Sequence, residues 1–169
     1  MKDVANQARQ FHSVNMVEEL IANDCLVEDD MWISHREGVS FRPIAFNVSQ
    51  GGWTNILRMS PGTQMPRHYH TAVVHGFTLQ GEWRYLEHDW TAPKGTYIME
   101  PPGEAHTLVC DADQQIDMMT FFVTSGCLIY TDADGQQTGF EDVFTRLEKV
   151  RAHFEEKGMD QAVLEGMIR

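Results

Sequence analysis

Three histidines stand close together in "PRHYHTAVVHG", residues 66–76: His68, His70 and His75. A spacing of two puts the first two rings on one side of a β-strand, whereas on a helix it would splay them apart. Imidazoles on one side can hold a transition metal, because neutral ring nitrogen suits Fe, Zn, Cu and Ni. His106, at the end of "GTYIMEPPGEAH", offers a third ligand. Three nitrogens leave coordination positions open for a substrate or for oxygen. The alternative, three hydrogen-bonded core histidines, would crowd buried polar rings against one another.

Glycine and proline frame these residues. "GTQMPRHYH" reads G-x5-H-x-H from Gly62, and Gly81 follows His70 as a hairpin glycine. The downstream stretch reads G-x5-P-x-G-x2-H from Gly95 through Pro101 and Gly103 to His106. Glu100 precedes Pro101, and a carboxylate there could serve as a catalytic base, orient an imidazole or act as a fourth ligand. A solvated Glu beside a turn is the competing reading.

The elements that must position these residues are strands. From Gly38 to Tyr130, short β-branched and aromatic runs alternate with Gly, Pro and Asp: "VSFRPIAFNV", "WTNILRM", "VVHGFTL", "EWRYLEH", "TYIME", "HTLVC", "MMTFFV" and "CLIY". Closely spaced strands of this kind form a sandwich or barrel. Phe140, Val143, Phe144, Leu147, Val150 and Phe154 then recur at helical spacing, with Thr138 and Glu141 in capping-box register and Gly158 as a stop. Asp160 can cap a short final helix. Residues 1–30 are ambiguous: Phe11, Val14, Val17 and Ile21 suggest a helix, while "NDCLVEDD" reads as loop. We divide the chain into an N-terminal extension (1–30), a β-barrel (31–137) and a helical segment (138–169) that packs on the barrel or on a partner subunit.

The chain has 169 residues, 13 Lys and Arg against 25 Asp and Glu, and a formal net charge of −12. Such a field repels phosphate backbones and argues against nucleic acid as a partner. Its apolar runs fall short of the roughly 20 residues of a membrane helix, and "MKDVANQARQ" lacks a signal-peptide core. Three cysteines without a C-x-x-C pattern suit reduced thiols, so a cytoplasmic location is expected.

The two histidine motifs, in order, resemble those of the cupin superfamily. The resemblance implies an all-β, single-domain cupin, a double-stranded β-helix or jelly-roll barrel with C-terminal helices. It also implies His68, His70 and His106 as metal ligands. Cupins usually carry a ligating Glu seven residues before the hairpin glycine; here that position is Val74, with His75 beside it. Strict alternation points His75 away from the His68/His70 face, and only a bulge would turn it inward.

"FRPIAFNVSQGGWTNILRMSPG", "HTAVVHGFTLQGEWRYLEHDW", "GTYIMEPPGEAHTLV" and "TGFEDVFTRLEKVRAHFEEKGM" are similar to the 2,4'-dihydroxyacetophenone dioxygenase family, which is related to three-histidine cupins that cleave acetylacetone. This likeness implies a non-haem Fe(II) enzyme that uses O2 to split a C–C bond of a hydroxyketone or diketone into carboxylic acids. Zn, Mn, Ni or Cu could occupy a purified sample. A small-molecule substrate and O2 are the expected partners, with a homodimer or homotetramer as the assembly. Two other functions are compatible with the residues: a cupin sensor related to anti-sigma regulators, and a Zn or Mn cupin isomerase or hydrolase. Trp53, Phe77, Trp83, Tyr85 and Trp90 are expected in the core or subunit contacts, with one or two walling a substrate pocket. His12, His35 and His153 are expected at the surface, and Arg58 and Arg67 in ion pairs.

Overall fold

A computed structural model describes residue 17 and residues 19–169, and all eight expected runs form strands. In chain order the strands are β1 (Ile33–Arg36), β2 (Val39–Phe46), β3 (Gly52–Met59), β4 (His68–His70), β5 (Val74–Gln80) and β6 (Glu82–Tyr85). They continue with β7 (Ala92–Pro93), β8 (Tyr97–Glu100), β9 (Leu108–Val109), β10 (Met118–Ser125), β11 (Leu128–Thr131) and β12 (Gln137–Glu141). Helices α1 (Val143–Lys157) and α2 (Gln161–Glu165) follow.

Alternation along each strand decides what lies inside. A six-stranded antiparallel sheet, β1-β2-β3-β10-β5-β8, forms one wall, and the sheets β12-β11-β4 and β7-β6-β9 contribute the other. Val39, Leu57, Met59, Val74, Trp83 and Phe122 fill one apolar cluster between them. Their burial removes apolar surface from water at roughly 25 cal/mol per Å². Gly81 links β5 to β6 at φ 66°, where a Cβ would approach the Met118 backbone at 3.0 Å, so the hairpin needs glycine.

A second cluster joins Phe41, Phe46 and Trp53 of the large sheet to Val143, Val150 and Phe154 of α1. The helix thus packs on the barrel of its own chain. Its start differs from the expectation: Thr138 and Glu141 lie in β12, which pairs with β11, and the cap is Asp142. The Asp142 side chain accepts from Phe144 N–H and Thr145 N–H, while the Thr145 hydroxyl accepts from Asp142 N–H. Phe140 therefore belongs to a strand and is exposed, as is Phe144, and the buried helix face is Val143, Arg146, Val150 and Phe154. The Asp160 side chain caps α2 as expected. Beyond α2, Met167 and Arg169 exchange backbone hydrogen bonds with Phe46 and Val48, tying the last residues beside β2.

Among the earliest residues, Val17 and Ile21 are exposed and residues 19–24 are not helical; Phe11, Val14 and His12 lie outside the described residues. Cys110 is buried in the core, while Cys25 and Cys127 are half-buried, and all three are free thiols. No helix among the described residues is long and apolar enough to cross a membrane.

Candidate metal centre

His68 and His70 occupy β4, and the alternation of its three residues buries both rings while Tyr69 faces outward. His106 pairs directly with His68 across an isolated antiparallel bridge: His68 N–H donates to His106 O at 3.0 Å, and His106 N–H to His68 O at 2.8 Å. The loop ahead of His106 is held by Gly103, whose φ is 98° and whose N–H donates to His70 O at 2.9 Å. The motif glycine therefore allows the chain to turn back against β4. Behind the bridge, Glu87 accepts from both Thr107 N–H (2.8 Å) and the Thr107 hydroxyl (3.0 Å), which pins the residue next to His106.

The three rings form a near-equilateral triangle, with centroid separations of 5.0, 4.9 and 5.2 Å, and their ligand atoms lie within 4.8 Å of one another. His68 Nδ1 lies 2.7 Å from Pro66 O. Donation to that carbonyl fixes the proton on Nδ1 and leaves the Nε2 lone pair free. Burial, reinforced by His70, pushes the His68 pKa down to about 4; burial, reinforced by His68 and His70, pushes that of His106 down to about 2. Both rings are therefore neutral at physiological pH, the form in which imidazole binds metal.

Glu100 is 4% exposed, and its Oε2 lies 3.0 Å from His70 Nε2 and 3.6 Å from His106 Nε2. The competing reading of a solvated turn residue therefore fails on burial. Tyr85 stacks face to face on His106, with centroids 3.9 Å apart and planes within 8°. Burial first, and the Glu100 charge second, raise the Tyr85 pKa well above its usual value, so its hydroxyl stays protonated. Tyr85 thus belongs to the site as well as to the core. Tyr85 and Trp90 are the two of the five expected aromatic residues that line the cleft beside the site.

Donor chemistry gives a test of metal fit. His106 Nε2, His70 Nδ1 and both Glu100 carboxylate oxygens are buried without a hydrogen-bond partner among the described residues. Each such orphan costs about 1–3 kcal/mol. A cation beside His106 Nε2 and the Glu100 carboxylate would satisfy these groups at once, and three imidazole nitrogens beside a carboxylate suit a divalent transition metal. The residues fit the group.

The other candidates fall elsewhere. His75 Nδ1 hydrogen-bonds the Tyr97 hydroxyl at 2.8 Å on the outer face, so β5 keeps the alternation that turns His75 away from the centre. His35 is half-buried against Lys149 of α1 and not at the surface as expected. His153 Nε2 meets Asp30 O at 2.7 Å. Arg58 pairs with Glu28 over the Trp32 ring, and Arg67 approaches Glu87 at 4.0 Å. Trp83 is core, donating to the Thr78 hydroxyl at 2.9 Å.

Two cavities meet at the centre. An outer cleft of about 400 Å³ is bordered by Tyr85, Trp90, Tyr97, Ile98, Glu100 and His106, with the His88–Glu104 pair (3.1 Å) on its wall. An inner chamber of about 50 Å³ touches His68, His70, Tyr85 and Glu100.

A β-barrel with this histidine group at the meeting of two cavities is a cupin fold with a candidate metal centre. The model of the ChrR cupin-like domain matches residues 24–132, and the chain belongs to that family. No curated protein matches it. Among solved structures, an RmlC-like cupin protein from Ralstonia eutropha JMP134 is 27% identical, with 86% of this chain and 91% of that chain covered at a TM-score of 0.76. An acetylacetone dioxygenase from Acinetobacter johnsonii is 16% identical, covering 84% and 97% at a TM-score of 0.72. The anti-sigma ChrR of Rhodobacter sphaeroides, in complex with SigE, is 19% identical, covering 73% and 65% at 0.52. At these last two identities the likeness is one of fold.

Proposed function

We propose that the protein is a non-haem Fe(II)-dependent dioxygenase that cleaves a C–C bond of a hydroxyketone, of the 2,4'-dihydroxyacetophenone kind, or of a diketone, yielding carboxylic acids. One observation carries this reading: three buried imidazoles converge beside a cleft large enough for a ring-sized ligand, with valine at the usual carboxylate position. The fold shared with an acetylacetone dioxygenase supports it.

His68, His70 and His106 would hold the metal. When bound, iron(II) would supply Lewis acidity toward chelating substrate oxygens and the redox chemistry that O2 requires. The remaining work falls to the chain. Glu100, its carboxylate buried beside His70 and His106, is placed to take the proton released as a hydroxyketone or diketone becomes its enolate. A carboxylate that gains this proton becomes neutral, which suits its burial. The enolate then carries the negative charge that three imidazoles lack. Tyr85 holds the plane of His106 by stacking, and Pro66 O holds the tautomer of His68.

Exposed Phe77, Tyr97, Met99 and Val123 on the large sheet support assembly into a homodimer or homotetramer. The test of function is metal analysis of anaerobically purified protein, followed by O2 uptake with aryl hydroxyketones and β-diketones after Fe(II) loading. Uptake with formation of two acids, lost in His106→Ala, is expected. A second reading, a metal-binding sensor module, is favoured by the family match to the ChrR cupin-like domain. Tightly bound zinc with no uptake would select that reading or a zinc isomerase or hydrolase.

A further inference from the structure

The buried face of α1 contains a residue that a helix docked on an apolar barrel does not need. Arg146 is 5% exposed, its Nη2 donates to Glu141 Oε2 at 2.8 Å, and its guanidinium carbon lies 4.2 Å from the Phe41 ring centroid. The Tyr130 hydroxyl donates to the same Glu141 oxygen at 3.1 Å, so the carboxylate is doubly satisfied. Arg146 Nε–H, in contrast, is buried with no hydrogen-bond partner among the described residues. Leaving such a donor dry is costly, and a charged one more so.

Arg146 lines the inner chamber, together with His68, His70 and Glu100. The other walls include Asn55 and Thr124, with Leu57, Phe122 and Leu128 supplying apolar surface. About 50 Å³ accommodates a few water-sized groups and excludes an aromatic ring, whereas the outer cleft of about 400 Å³ falls in the range of ordinary ligand sites. The two spaces at the centre are thus unequal in size.

We propose that the inner chamber is the subsite for a compact, oxygen-bearing end of the substrate, with Arg146 Nε–H donating to its carbonyl or carboxylate oxygen. This rests on the histidine group being a metal centre that binds substrate. The Glu141 partner neutralises Arg146, so the chamber reads an acceptor atom and its size more than a net charge. A ring or longer chain lies in the outer cleft. Substrates with one short acyl end are selected, and those bulky at both ends are rejected.

Isothermal titration of the Zn(II)-loaded protein tests this without turnover. Pentane-2,4-dione, compact at both ends, is expected to bind at least about tenfold more tightly than 1,3-diphenylpropane-1,3-dione. Arg146→Lys, which keeps a cation for Glu141 but loses the Nε donor, should weaken pentane-2,4-dione about tenfold at unchanged zinc content. Leu128→Ala, independent of the ion pair, should enlarge the chamber and narrow the difference between the two probes. Equal binding of pentane-2,4-dione to wild type and Arg146→Lys, or no change of preference in Leu128→Ala, overturns the subsite and leaves the metal-centre reading standing. Failure of both probes to bind overturns the two together.

Discussion

Val74 and Glu100 face each other across the antiparallel pair β5–β8. Directly opposed residues project to the same face with Cβ atoms about 4.5–5.5 Å apart. Glu100 therefore brings a carboxylate from the neighbouring strand to the face that Val74 shares. Because it arrives on β8, its Oε2 reaches His70 and His106.

Glu100→Gln keeps the shape and the three histidines while removing the proposed base. Iron content should stay at the wild-type stoichiometry, and kcat for O2 uptake should fall by roughly 10²–10⁴. Loss of the iron instead would identify Glu100 as a ligand.

His106→Ala removes one of three converging nitrogens. Metal affinity should drop by more than about 100-fold, beyond what loss of an outer-sphere partner costs, while the circular dichroism of the barrel is retained. Dialysis against a competing chelator, with metal read by mass spectrometry, measures it.

His35 gives the metal-free protein a pH dependence. Burial first, with Arg146 and Lys149 adding to it against the opposing charge of Glu141, pushes its pKa down to about 4 from 6.5. Between these values the unfolded chain binds the extra proton. Stability is therefore complete above about pH 6.5 and declines as pH falls toward 4, by up to about 1.4 kcal/mol per pH unit from this group. Urea midpoints of wild type and His35→Gln should converge as the pH is lowered; parallel curves would refute the assignment.

Phe154 is fully buried in the second cluster, between α1 and the sheet. Phe154→Ala should cost about 3–5 kcal/mol. For a chain of this size that corresponds to a fall of roughly 6–20 °C in Tm, read by calorimetry.

Much of this was legible in the residues because local pattern and tertiary structure agree. The eight apolar runs became strands because each has one face to bury, and the motif glycines mark turns that only glycine tolerates at low cost. The spacing of His68 and His70 needed nothing beyond strand geometry. The start of α1 was less legible: Thr138 and Glu141 satisfy a capping pattern, yet pairing with β11 holds them extended, and Asp142 takes the cap. Arg146 escaped notice because a charged residue in a helix ordinarily faces water. Its burial depends on Glu141 and Tyr130, neither of which is marked as its partner by sequence spacing.

The bridge between His68 and His106 joins segments far apart along the chain. The three-nitrogen group does not exist until that long loop has closed, and closures of this kind come late and set the pace of folding. A cation would then arrive after the slow step and act chiefly by retarding escape from the native state. Bound metal should lengthen the lifetime of the folded protein while refolding proceeds at the speed of the empty chain.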